Sequence, residues 1–325
     1  MNHASNTRRA VLAIVALALA TPFLPAAAQT DKPVRMIVPN APGSSVDALA
    51  RTVGNPLSKA IGSPIVIENL PGAGGVPGTG QLVRAPKDGT ALGMVSNNHV
   101  VNPSLYKSMP FDSIKDITPI TIVAGSPFVL VAHPSVPAKD LKELIALAKA
   151  KPDDLTYGSS GNGTILHLAA EALQHEAGIK LKHIPYKGTG QMTTDLLGGQ
   201  IQLGFLGVTG AAQHIKSGKL KAIGVSTTTP SSILPNVLPL SQQGVPNYSM
   251  QGWIALIGPA GMPPATVSKL YSDTKALLAT KEVQDSLAAQ GFSAVGSTPD
   301  VTAGLFQSEM VKYATLVKQS GMAID

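Results

Sequence analysis

The chain of 325 residues contains no cysteine. That excludes disulfide staples and thiolate metal sites, and it leaves stability to the hydrophobic core that a chain of this length can build. Aromatic residues make up only 4% of the sequence and charged residues 14%. With lysines scattered singly and few rings, the chain lacks the stacking platform and charged groove that nucleic-acid binders use. After the first thirty residues no apolar run approaches the roughly 20 residues that span a bilayer. Signatures of catalysis are also missing. No Gly-Lys-Ser/Thr closes a glycine loop, so there is no Walker phosphate cradle. The run Gly43-Ser44-Ser45-Val46-Asp47 lacks the second glycine of a nucleophile elbow. In Gly72-Ala73-Gly74-Gly75-Val76-Pro77 a proline stands where the dinucleotide fingerprint needs its third glycine, and the stretch follows the second strand, not the first. No His-x-x-x-His pair stands beside a carboxylate, so neither a metal nor a cofactor is expected.

What is present begins with a leader. Arg8 and Arg9 precede the apolar run from Ala10 to Ala20, and Pro25-Ala26-Ala27-Ala28-Gln29 offers a small-residue cleavage site. Residues 1–28 therefore read as a secretory signal peptide cut after Ala28, which places the mature chain in the periplasm as a soluble protein. Thr7-Arg8-Arg9 leaves both the general and the twin-arginine export routes open. Removing the leader takes 25 basic residues to 23 against 19 acidic ones, a net charge of about +4, too small to name a partner.

Short β-branched runs then alternate with amphipathic stretches, the pattern of an α/β fold with largely parallel sheets. A strand at 34–38, a helix at 46–60 and a strand at 64–68 form the first unit. Val46, Leu49, Ala50, Val53 and Leu57 share one helix face, and Gly62 is its stop. A tight glycine-rich loop at 71–80, a short helix at 81–84, a strand at 91–95 and a loop at 96–104 follow. Two β-branched segments, 117–123 and 128–132, lead into a helix that ends at Ala150, before Pro152. The opening grammar returns with a strand at 155–158, the turn SSGNGT at 159–164, a helix at 165–177 and a strand at 181–185. Helices at 191–197 and 211–216 and strands at 201–205 and 220–226 complete a second lobe. A long loop at 227–248 precedes a strand at 250–257. Three helices, 265–280, 281–289 and 299–320, are expected to pack on the first lobe.

In parallel α/β sheets ligands bind at the carboxyl ends of strands, where the next helix offers unpaired N–H groups and the positive end of its dipole. Three loops fit: Asn40 to Ser45, Ser96 to His99 and Ser159 to Thr164. The first and third pair glycines with the hydroxyls of Ser44, Ser45, Ser159, Ser160 and Thr164, and neither contains Lys or Arg. That chemistry suits a small carboxylate held by neutral donors better than a nucleotide. Helix capping is the competing role for any one of these hydroxyls. A serine hydrolase built on Ser44 or Ser45 would need an orienting histidine and acid, and His133, His167, His175, His183 and His214 are scattered, with His167 and His175 expected on a helix surface. His99 directly follows a strand at the cleft edge, where ligand contact and simple packing compete evenly.

The segments PVRMIVPNAPGSSVDALAR, IENLPGAGGVPGTGQLVRAPKDGTAL, NPSLYKSMPFD, YGSSGNGTILHLAAE, HIPYKGTGQMTTDLLGGQIQLGF and GWIALIGPAGMP resemble, in this order, the tripartite tricarboxylate transporter substrate-binding proteins, the Bug family. The resemblance spans essentially the whole mature chain. It implies a two-lobed periplasmic binding protein, a Venus flytrap of type II-like architecture with crossover strands, and no enzymatic activity. Lobe 1 is expected at 29–126 plus 252–325, and lobe 2 at 127–251. The implied role is capture of a small carboxylate for an integral membrane permease by a protein expected to be monomeric; input to a sensor kinase is the alternative. The family's two carboxylate-holding turns correspond to Asn40, Pro42, Gly43, Ser44 and Ser45 and to Ser159, Ser160, Gly161, Asn162, Gly163 and Thr164. Asn97, Asn98 and His99 are candidates for the far end of the ligand, and Ser96, Phe205 and Leu206 complete the candidate ligand-binding set. Three departures stand out. Asn40 and Ser44 replace the usual Phe and Gly of Pro-Phe-Ala-Pro-Gly-Gly, and Leu206 stands where members that accept amino acids often carry Asp. The last points to plain mono- or dicarboxylates, aliphatic or aromatic. Tyr186 and Lys187 match the family and are expected to support the fold.

Overall fold

The computed structural model describes residues 32–320, so the signal-peptide and export readings lie outside the described residues. The opening unit forms as β1 (Val34–Val38), α1 (Ser45–Ile61) and β2 (Ile65–Asn69). Ser44 starts α1 by accepting from the Asp47 N–H, and Gly62 ends it in the left-handed region at φ 74°, its N–H returning to Ser58 O. Leu49, Ala50, Val53 and Leu57 are buried on the inner face, each large side chain contributing on the order of 1.5–3 kcal/mol relative to exposure.

The glycine-rich stretch is more helical than expected. A 3-10 turn at Ala73–Gly75 runs straight into α2 (Val76–Leu82), which has a proline in its first turn, where no N–H is needed. β3 (Ala91–Ser96) follows, and the segment expected as a loop is instead α3 (Asn98–Leu105). The two β-branched segments are one strand, β4 (Ile117–Ala132), which continues through Gly125, Ser126 and Pro127.

β4 explains the architecture. Its first part pairs antiparallel with β9 (Gln251–Pro259), from Ile117↔Pro259 to Pro127↔Gln251. From Phe128 onward its partners are β7 (Leu203–Gly207) and, from Val129, β8 (Lys221–Val225). The strand order is β2-β1-β3-β9-β4-β7-β5-β6, with β5 (Thr156–Ser159) and β6 (Lys182–Pro185) at the far edge. β1 pairs parallel with β2 and β3, and β5 parallel with β6 and β7. The central strands β4 and β9 are antiparallel to their neighbours, so the sheet is mixed where a largely parallel one was expected. The short β10 (Ser293–Ala294) pairs with β4 near Gly125.

Helices α4 (Leu141–Ala150), α5 (Ile165–Ala177), α6 (Thr189–Leu197) and α7 (Val208–Lys216) serve the β5–β8 half. Of the C-terminal helices, α8 (Pro264–Leu278) packs on α1 and β4, and α9 (Lys281–Ala289) on α1 and β10. The last, α10 (Pro299–Ser320), packs on α3 and β4 and also on α5, so it touches both halves, not the first alone. Among the described residues no helix is long and apolar enough to cross a membrane.

Candidate functional site

The turn after β1 is moulded by one carboxylate. Asp47, in the first turn of α1, accepts from the Gly43 N–H at 2.9 Å and from Asn69 Nδ2 at 3.0 Å, and Arg51 Nε donates to it at 3.1 Å. Asn69 Nδ2 also holds the Asn40 carbonyl at 3.1 Å. The Arg51 guanidinium, with help from Gly43 and Asn69, holds the Asp47 carboxyl down at about 2. Beneath the turn, Gly75 at φ 90° presses on Pro39, where an added Cβ would sit 2.9 Å from the Pro39 carbonyl oxygen. The glycine-rich stretch thus supports the turn from behind.

The turn after β5 is built differently. The Ser159 hydroxyl, fully buried, donates to Gly161 O (3.1 Å), accepts from the Gly161 N–H (3.2 Å) and contacts His183 Nε2 at 2.7 Å. A hydroxyl has one hydrogen and two lone pairs, so His183 supplies the Nε2–H and Ser159 is saturated. Ser160 Oγ donates to Thr164 Oγ1 at 3.0 Å, and Thr164 Oγ1 to Gly161 O at 2.8 Å. Thr164 therefore makes no side-chain cap on α5.

Between these turns lies a cleft of about 460 Å³. Asn40, Ser45, Ser96, Asn97, Asn98, Ser160, Thr164 and Leu206 line it, joined by Val46, Ile165, Leu166, Ser126, Phe128, Thr189, Thr193, Gly207, Gly210, Gly252, Trp253, Ile254, Gln290 and Phe292. No Lys, Arg, Asp or Glu is in this lining. Ser45 and Val46 open α1, and Ile165 and Leu166 open α5, so their N–H groups precede any intrahelical acceptor. Two helix ends of about +0.5 elementary charge each supply about one positive charge to a cleft whose side chains carry none. A second hollow, about 400 Å³ between α5 and α10, is bordered by Glu176 and Lys312 and has no such pair of helix starts.

A model of the tripartite tricarboxylate transporter family receptor matches residues 49–322. The chain belongs to this receptor family. It is 33% identical to protein BugT of Bordetella pertussis, over 96% of this chain and 97% of that one. Among solved structures it is similar to Rpa4515 of R. palustris with adipate, at 26% identity and TM-score 0.78, covering 91% of this chain and 99% of that one. It is also similar to MatC from Rhodopseudomonas palustris with bound malate, at 27% identity and TM-score 0.73, covering 87% and 98%. The receptor is thus a two-lobed solute-binding protein of a periplasmic transport family and not an enzyme.

Several residues read as candidates from the sequence lie away from the receptor's cleft. His99 is buried and stacks on Phe111, its Nε2 2.7 Å from Ser113 O. It sits on α3 one turn position past Asn98, so its ring enters the core, where burial holds it down to about 4 and neutral. Phe205 is buried against Tyr248, because alternation along β7 sends it to the opposite face from Leu206. Ser44 is the cap of α1, and Ser159 is consumed inside its own turn. Pro42, Gly43, Gly161, Asn162 and Gly163 shape the turns without lining the cleft. His167, expected on a helix surface, is 5% exposed. Tyr186 donates to Asp195 Oδ2 at 2.9 Å, and its N–H holds Ser159 O, a supporting role for the fold.

Asn97 plays a part that no local pattern showed. Its Oδ1 accepts from the Trp253 N–H at 2.9 Å, and its Nδ2 lies 3.1 Å from Gln251 O, 3.2 Å from Glu309 Oε2 and 3.0 Å from Tyr313 OH. It ties the end of β3 to the start of β9 and to α10. Trp253 Nε1 donates to the same Glu309 oxygen at 2.5 Å. Burial raises the Glu309 carboxyl above its ordinary range.

Proposed function

We propose that the receptor captures a small mono- or dicarboxylate, aliphatic or aromatic and not an amino acid, between lobe 1 (29–126 plus 252–325) and lobe 2 (127–251). It then delivers the ligand to the membrane permease of a tripartite tricarboxylate-type transporter from the periplasm, after removal of a leader at Ala28. The observation that carries this reading is the pair of helix starts, Ser45–Val46 and Ile165–Leu166, on one cleft without a charged side chain. One carboxylate matches about one unit of positive helix-end charge. The lobe boundaries are supported by the change of partners along β4, from β9 up to Pro127 to β7 from Phe128.

Exclusion of amino acids rests on Leu206, which lines the cleft where an acid could pair an ammonium, and on the absence of any Asp or Glu in the lining. Bound adipate and malate in two relatives support the carboxylate class. Closure of the lobes brings both helix starts onto one ligand, so the closed form is the one the permease reads. Isothermal titration of the mature protein with adipate, malate, benzoate and glutamate tests this. At least one plain carboxylate is expected to bind at micromolar Kd, about −8 kcal/mol, and glutamate far more weakly. Absence of binding by all three, or preference for glutamate, overturns the reading.

A further inference from the structure

The two cleft turns share a device and differ in its charge. In α1 the third helical residue, Asp47, reaches back to the N–H of Gly43, four residues earlier, at 2.9 Å. In α5 the residue at the same position, His167, reaches back to the N–H of Gly163, again four residues earlier, with Nδ1 at 3.2 Å. Both bonds fold the turn ahead of the helix start. One uses an anion, partly offset by Arg51, and the other uses an imidazole.

We infer that His167 is a positioning residue of the ligand site, chosen over a carboxylate because it fixes the Gly163 turn without placing negative charge at the α5 helix end that receives the ligand. This rests on the reading of the cleft as a carboxylate site. The surroundings keep the ring neutral and in one tautomer. Nδ1 is the acceptor for Gly163, so the proton is on Nε2, which faces Glu171 Oε1 at 3.7 Å. The ring stacks on His183 of β6 at a centroid distance of 3.9 Å, and Tyr157 of β5 lies 6.3 Å away. Glu171 is engaged by Tyr157 OH at 2.5 Å and Gln174 Nε2 at 2.8 Å. Burial, reinforced by His183, pushes the His167 imidazolium down to about 3, so it carries no charge at neutral pH. β7, also against α5, carries no titratable residue, and on α10 Lys312 interacts with Glu176 at the other end of the helix. A carboxylate at this position would stabilise α5 through its dipole and compete with the ligand's carboxylate for the same helix end. A neutral acceptor avoids that competition.

The test is a pair of substitutions, His167→Asn and His167→Asp, which both keep an oxygen near the position of Nδ1. Titration with adipate, malate and benzoate at pH 7.5 reads affinity, and thermal unfolding reads stability. The Asn variant is expected to bind within about threefold of the parent. The Asp variant is expected to bind at least tenfold more weakly while melting no lower than the Asn variant. Equal affinity of the two variants overturns the inference and leaves the cleft reading intact; a parent protein that binds none of the three acids overturns both. Imidazole ¹⁵N shifts of the unmodified protein give a check that needs no variant. Nε2–H with bare Nδ1 at residue 167 from pH 8 to 5 is expected, and an imidazolium or the opposite tautomer at pH 7 refutes the assignment.

Discussion

Replacing Asn97 by aspartate exchanges one NH₂ for one oxygen, and its neighbours make that change destabilising in a pH-dependent way. The amide nitrogen faces Gln251 O at 3.1 Å and Glu309 Oε2 at 3.2 Å, both acceptors, in a site where Asn97 is 2% exposed. Two unit charges at that 3.2 Å separation repel by about 5 kcal/mol at an effective dielectric of about 20. Burial already raises the Glu309 carboxyl, so the new pair holds one shared proton to higher pH than Glu309 does alone. Its folded pKa then lies above the unfolded value of about 4. The folded state binds more protons than the unfolded one, so stability falls as pH rises, by about 1.4 kcal/mol per unit from about pH 4 upward. Up to pH 7 the variant's own fall is at most about 4 kcal/mol, within the 5 kcal/mol bound set by repulsion; the parent's raised Glu309 carboxyl shares the lower part of that fall, so the difference between the two proteins is smaller and opens as Glu309 of the parent ionises. Urea unfolding of Asn97→Asp and its parent at pH 4.5, 6 and 7.5 measures the difference directly. The loss is expected to be small at pH 4.5 and to grow with pH. An Asn97→Asp protein that loses the same stability at every pH, or none, would refute the hub assigned to Asn97 and Glu309.

Asp47→Ala removes the bonds to Gly43, Asn69 and Arg51 and is expected to cost about 2–3 kcal/mol at pH 7. Because the Asp47 pKa is depressed to about 2, this contribution is present above about pH 4 and fades as pH falls toward 2, which acid-dependent urea melts can follow. His99, buried neutral with its pKa lowered to about 4, loses native-state stability as pH drops from about 6.5 to 4. His99→Leu is expected to flatten that acid loss by up to about 3 kcal/mol, whatever its cost at pH 7. Gly75→Ala, at φ 90° and 2.9 Å from Pro39, is expected to destabilise by about 1–3 kcal/mol in thermal unfolding and to weaken ligand binding through the displaced Asn40 turn. Leu206→Asp places an anion in the cleft lining and is expected to lower carboxylate affinity at least tenfold by calorimetry, an unchanged Kd counting against the cleft assignment.

The elements legible in the sequence were those whose signals are local. The strand at Val34–Val38, helix α1 with its serine cap and Gly62 stop, and α5 with its end before Gly178 follow from periodicity and capping. Three segments resisted for identifiable reasons. Pro103 and two asparagines disguised α3 as a loop, and the glycines before Pro77 hid the start of α2. Gly125, Ser126 and Pro127 read as a break in β4, yet the strand continues, since Pro127 still sits opposite Gln251 and Phe128 takes up new partners.

For the site, the sequence by itself determined the local pattern: two strand-turn-helix units with neutral hydroxyl and glycine turns, without lysine or arginine, each leading into a helix start. Tertiary structure decided which of their atoms line the cleft. One residue of helical rotation separates Ser45, on the cleft, from Ser44, spent on a cap, and one step along β7 separates Leu206 from the core residue Phe205. Phe128 joins the lining because β4 passes from one half of the sheet to the other, Trp253 because β9 pairs beside β4, and Gln290 and Phe292 because the segment between α9 and β10 is held against β4 near Gly125. Asn97 meets Glu309 across 212 residues of chain, and such a contact exists only where packing brings distant segments together, which leaves no periodic trace in either segment.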